Sequence, residues 1–179
     1  MTPASASLSD PLVLQAWQVL DTLTDPEIPV VTLRDMGIVR DVLRRDEGLE
    51  VIITPTYSGC PAMEQIEDDV RATVQQLGVP VRVTTRLSPA WTTDWMNETA
   101  REKLRNYGIA PPRRCTGAGE NVVQFAPRAA ASRAESDHPP CPRCGSGQTT
   151  EVSHFGSTAC KALYKCLNCL EPFDYFKPY

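Results

Sequence analysis

Five of the seven cysteines crowd the last forty residues of this sequence, and their spacing is the first sign of chemistry. Cys141 and Cys144 form one Cys-x-x-Cys pair, and Cys166 and Cys169 form a second. A tight turn lets the two sulfurs of each pair face one ion, and two such knuckles carried on hairpins supply four thiolates in a tetrahedron. The spacing predicts a zinc ribbon holding Zn2+. A rubredoxin-type iron or an iron–sulfur cluster is the competing occupant, but rubredoxin-like sites favour proline and glycine at both knuckles. Only the first knuckle has them here, as Cys141-Pro142-Arg143-Cys144-Gly145. So small and apolar-poor a module depends on its metal to fold. Cys160 is a fifth thiol that reads as a spare core residue, a replacement ligand or part of a second site, the first being preferred. His154 reads as structural, because four cysteines already complete the shell.

Cys60 stands apart, in the stretch Thr54-Pro55-Thr56-Tyr57-Ser58-Gly59-Cys60-Pro61-Ala62-Met63-Glu64. Pro61 is expected to open a helix, and free N–H groups at a helix N-terminus favour a thiolate. Cys60 is thus placed to be a nucleophile or a soft-metal ligand, the alternative being a small buried residue at a tight turn. A second charged loop, Asp25-Pro26-Glu27-Ile28-Pro29-Val30, holds two carboxylates on a backbone stiffened by two prolines. They read either as fixed polar groups or as a turn-capping aspartate beside a solvated glutamate. No Ser-His-Asp set and no phosphate loop accompanies them, so an independent enzyme is not expected.

The elements that must position these groups follow from hydrophobic period. Asp10-Pro11 caps a helix ending near Thr22 to Thr24, with Leu12, Val13, Ala16, Trp17, Leu20 and Leu23 on one face. Residues 37–44 and 49–54 read as a hairpin about Arg45-Asp46-Glu47-Gly48, and the second strand sets Leu49, Val51 and Ile53 against Glu50, Ile52 and Thr54. Met63, Ile66, Val70, Val74 and Leu77 mark a helix that Gly78 closes, and residues 79–87 alternate as a third strand. A short helix over about 96–107 follows. Trp91 and Trp95 before it either dock a partner or plug the sheet. The expected class is α+β: an α-β-β-α-β domain with a mixed three-stranded sheet, then the zinc ribbon. The expected division is a flexible tail over 1–9, the α/β domain over 10–109, a linker over 110–138 and the ribbon over 139–179. The linker holds an incidental Cys115 and one short strand over 121–126.

Net charge is −4 and the pI is near 5.2, which argues against a general nucleic-acid partner. No apolar run approaches the roughly 20 residues needed to span a membrane. With neither a basic n-region nor an apolar h-region at the N-terminus, a reducing cytoplasm is expected.

Taken together, Asp25-Pro26-Glu27-Ile28-Pro29, Met36-Gly37-Ile38-Val39 and Thr54-x-Thr56-x-x-x-Cys60-Pro61 resemble the metal–sulfur cluster biosynthesis family over about residues 10–107. The C-terminal run Phe155-Gly156-Ser157-Thr158, Cys160-Lys161-Ala162-Leu163-Tyr164-Lys165-Cys166 and Glu171-Pro172-Phe173-Asp174-Tyr175-Phe176-Lys177 is similar to the accessory-subunit family of bacterial phenylacetyl-CoA epoxidases. These are ring-epoxidising multicomponent monooxygenases of phenylacetate degradation. The resemblance implies a non-catalytic maturation factor that helps insert iron or an iron–sulfur cluster. Its partner would be the flavin- and [2Fe–2S]-bearing reductase subunit, which is favoured, or an oxygenase subunit. Cys60 would be the thiolate that handles the transient cluster or iron, with Asp25, Glu27 and Thr56 as neighbouring polar or ligand residues. One thiolate cannot hold a cluster alone, so a homodimer, a partner or a small thiol would complete it. The alternative role is an electron-transfer or structural subunit of the oxygenase complex.

Overall fold

Proline sets the start of the first helix in this computed structural model, which describes residues 10–113 and 138–179. Cys115 and the strand expected over 121–126 lie outside the described residues. Helix α1 spans Pro11–Leu20, and the Asp10 carboxylate accepts the Leu12 N–H at 2.8 Å as its N-cap. Val13, Ala16 and Leu20 form its buried stripe. The helix stops before the expected Thr22 to Thr24, with Asp21 as C-cap, and the backbone turns into the proline-rich loop.

Strands β1 (Val39–Arg45) and β2 (Gly48–Ile53) pair antiparallel about a turn at Asp46 and Glu47. Helix α2 (Met63–Gln75) leads to β3 (Val81–Thr85), which pairs with β2 in parallel. The result is the expected mixed sheet in the order β1-β2-β3, with α1 packed on β1 and α2, and α2 on β3. Two local features depart from simple alternation. Ile52 and Thr54, expected on the same face as Glu50, are both buried, so the sheet is covered there on both faces rather than on one. The β1–β2 register also shifts between Val39 and Asp41. Such a bulge re-aims a side chain, and the Arg40 guanidinium lies 3.5 Å above the Trp95 ring.

The chain between β3 and α3 (Glu98–Tyr107) contains a 3-10 turn at Thr93–Trp95. Trp91 is buried and donates its Nε1–H to the Met36 carbonyl at 2.9 Å, so it serves packing rather than docking. Gly37, at φ +70°, passes so close to Trp95 that a Cβ there would sit 2.8 Å from the Trp95 carbonyl oxygen. Asn97 and Lys103 both reach the Asp35 carboxylate, at 2.9 and 2.6 Å, tying α3 to the loop before β1.

The chain divides between Tyr107 and Gly108, and Tyr179 groups with the first unit. Ile109–Ala110 form β4, which pairs in parallel with Asp174 and Tyr175 of β7 (Pro172–Phe176). Strands β5 (Thr149–Ser153) and β6 (Lys161–Cys166) complete a four-stranded sheet in the order β4-β7-β6-β5. Ala110, Cys141, Ala162, Tyr164, Cys166, Phe173 and Tyr175 make its small core. Tyr164 stacks on Phe173 and meets Tyr175 edge-on, so these aromatics are spent on packing.

Candidate metal centre and the Cys60 site

The two Cys-x-x-Cys turns bring their sulfurs to one point. All four Sγ atoms of Cys141, Cys144, Cys166 and Cys169 lie within 4.8 Å of one another, with Cys141 to Cys169 at 3.8 Å and Cys144 to Cys166 at 3.6 Å. A tetrahedral ion with Zn–S bonds of about 2.3 Å needs sulfurs about 3.8 Å apart. The donor set therefore fits a four-thiolate ion. Its electrostatics call for one as well. The N–H groups of Cys169 and Asn168 hold the Cys166 thiol down at about 6. Cys169 goes up to about 12: the Glu171 N–H opposes the shift, but burial and the sulfurs of Cys166, Cys144 and Cys141 outweigh it. Neighbouring sulfurs disfavour a second charge beside the first, and a bound cation relieves that cost. Cys160 is buried outside this group, its sulfur 3.0 Å from the Thr158 hydroxyl, and His154 is exposed beside Phe155 and Glu151.

In the first unit, the loop after α1 and the turn after β2 bring Asp25, Glu27 and Cys60 into electrostatic reach of each other. Asp25 is buried, and its Oδ1 accepts the N–H groups of Glu27 at 2.8 Å and Ile28 at 3.0 Å. That is the aspartate-turn geometry the prolines flank. Thr56 is buried in the segment leading to Cys60. Cys60 itself is half-buried, in a turn closed by its N–H donating to the Tyr57 carbonyl at 3.2 Å.

The structure corrects the expected ease of ionisation at Cys60. Helix α2 begins at Met63 with Ala62 as N-cap, so Pro61 does not open it and Cys60 lies a turn ahead of it. Burial pushes the thiol up from its ordinary value, and the Glu27 and Asp25 carboxylates push the same way. The Ala62 N–H and a hydrogen bond with the Tyr57 side chain oppose them without prevailing. Tyr57 is a neighbour that the sequence did not single out; it occupies one of the unspecified positions of the motif, where residue type alone carries no signal.

Comparison with known proteins bears on both sites. Residues 15–85 match the iron–sulfur cluster assembly protein family, and residues 126–177 match the PaaD zinc beta ribbon domain. A putative 1,2-phenylacetyl-CoA epoxidase subunit of Escherichia coli (strain K12) is 48% identical over 173 residues, covering 96% of each chain. The chain belongs to this family of epoxidase subunits. Cys60, Asp25 and Glu27 of this family member all fall inside the region matched by the assembly family, and the four clustered cysteines fall inside the ribbon domain. An Fe-S protein maturation auxiliary factor of Porphyromonas gingivalis (strain ATCC BAA-308 / W83) is 37% identical over 90 residues, 49% of this chain and 85% of the relative. A solved domain of unknown function, DUF59, from Bacillus anthracis aligns with a TM-score of 0.50 at 25% identity, over 56% of this chain and 97% of that one.

Proposed function

We propose that this chain is a non-catalytic assembly factor of a phenylacetyl-CoA epoxidase, a multicomponent monooxygenase of phenylacetate catabolism, and that it delivers iron or an iron–sulfur cluster to a partner subunit. The observation that carries the reading is the 48% identity to an epoxidase subunit along nearly the whole chain, combined with an iron–sulfur assembly match over 15–85. In this reading Cys60 is the sulfur that takes the cargo, and the reductase subunit is the first client. Asp25 and Glu27 are the negative charges beside that sulfur, which disfavour a bare thiolate but favour a cation next to it. Thr56 belongs to the same site as part of the turn-bearing segment. A single sulfur makes a weak, releasable hold, as a carrier requires, and a second copy or the client would complete the ligand set.

The four ribbon cysteines hold Zn2+, which supplies a structural cross-link and no reaction. The ribbon is a docking module for the client. A strain carrying Cys60→Ser tests the proposal. The variant is expected to fold and to keep its ribbon metal, while the epoxidase system emerges short of iron or cluster and loses activity. Fully loaded, active epoxidase in that strain would sink the reading.

A further inference from the structure

An aromatic stack stands next to Cys60. The Tyr57 side chain hydrogen-bonds to the Cys60 sulfur, so its ring must be held on one side of the turn. Gly59 lies beside that ring: a Cβ there would sit in ordinary contact with it, at 3.7 Å. The ring also has a second support. Tyr179 stacks on Tyr57 with centroids 6.2 Å apart and planes 14° from parallel, within the range of offset aromatic pairs. Tyr179 is fixed in turn. Its ring meets Trp91 edge-on at 6.3 Å, and its main-chain oxygen accepts the Thr93 N–H at 3.1 Å. Trp91 is anchored on the Met36 carbonyl. The contacts run without a gap from Met36 through Trp91, Tyr179 and Tyr57 to the Cys60 sulfur.

We infer that Tyr179 is a positioning residue for the Cys60 site: its ring holds Tyr57 against the sulfur and thereby sets how far that sulfur is open to an incoming group. The biological meaning of this role rests on the assembly reading, but its geometry can be tested without iron. Stacking is a property of the ring, so phenylalanine at 179 keeps it and alanine removes it. A thiol uncovered in this way reacts faster with a small electrophile.

The test measures the rate at which iodoacetamide alkylates Cys60 over a series of pH values, by peptide mass mapping of the zinc-loaded full chain, so that the rate constant of the thiolate is separated from the fraction ionised. Tyr179→Ala is expected to raise the rate constant of the Cys60 thiolate severalfold, because the sulfur loses its cover, even where loss of the Tyr57 hydrogen bond lowers the fraction ionised. Tyr179→Phe should react at the wild-type rate. In a Tyr57→Ala background, Tyr179→Ala should add nothing further, because its effect passes through Tyr57. The inference is overturned by a wild-type rate in Tyr179→Ala, by Tyr179→Phe matching Tyr179→Ala, or by an undiminished effect in the Tyr57→Ala background. Nuclear Overhauser contacts between the Tyr57 and Tyr179 rings in the wild-type chain are expected independently of any variant, and their absence also overturns it. A failed alkylation result leaves client loading untouched, and an unaffected client in the Cys60→Ser strain leaves the stack in place.

Discussion

Dipole and burial pull the Cys60 thiol in opposite directions, and distance decides between them. The dipole effect fades within the first helical turn, and Cys60 lies before the Ala62 N-cap of α2. Burial and two carboxylates act directly on the sulfur. Cys60, Asp25 and Glu27 were legible in the sequence because each is an unusual residue in a stiff, proline-marked loop. Tyr57 was not, because what holds its ring is Tyr179, remote in sequence and brought close only by the fold. Asp35 offers a residue-scale prediction. Burial alone would raise its carboxyl, but Lys103, Asn97 and the Thr32 N–H outweigh burial and hold it below the ordinary value. A carboxylate whose folded pKa is depressed adds stability above its unfolded pKa and loses it as pH falls through the folded one. Asp35→Asn should therefore cost about 1–2 kcal/mol at pH 7, with the gap to wild type closing below about pH 4. Urea unfolding at a series of pH values checks this, and a gap that is the same at pH 3 and pH 7 would contradict it.

At the scale of elements, close approaches of backbone decide what a substitution costs. Gly37 combines positive φ with a steric block from Trp95, whereas Gly78 has positive φ (+76°) and open space. Gly78→Ala should cost about 1 kcal/mol from the left-handed backbone alone. Gly37→Ala should cost at least about 2–3 kcal/mol, since Trp95 must also move. Equal shifts in denaturant midpoint would show that the Trp95 contact carries no weight. The order of α1, β1, β2, α2 and β3 was legible because each has a clear period and a turn residue at its end. Strand β4 was not, since two residues have no period and gain their identity only by pairing with β7. The burial of Ile52 was equally hidden, because alternation describes a strand with one face open and Ile52 is buried on the other face from Val51 and Ile53. In the ribbon, the cysteine spacing carried the site, and metal and folding should be coupled. Removing the ion with a strong chelator should collapse the amide dispersion of residues 138–178 while that of residues 10–107 persists. Metal analysis should return one zinc per chain in a colourless protein. A red, reducible protein carrying iron at the four sulfurs would favour electron transfer instead.

For the molecule as a whole, one unit carries a sulfur within electrostatic reach of two carboxylates and the other carries four clustered cysteine sulfurs. The four sulfurs are spaced for permanent coordination. Cys60 belongs to no cluster of three or more metal-ligating side chains among the described residues, and in the proposed reading its contact with the cargo is transient. No helix among the described residues is long and apolar enough to cross a membrane. A carrier of this kind should associate with the immature reductase and be absent in stoichiometric amount from the purified, active epoxidase; a one-to-one presence there would favour a structural role. The most direct measurement is transfer itself. The full chain, loaded anaerobically with iron and sulfide, is mixed with apo-reductase, and the growth of the reductase [2Fe–2S] absorbance is followed against free iron and sulfide at the same concentrations. The wild-type chain is expected to load the reductase faster than the free ions, and Cys60→Ser only at the free-ion rate. Equal transfer by wild type and Cys60→Ser would contradict the assignment of Cys60 as the cargo-handling sulfur.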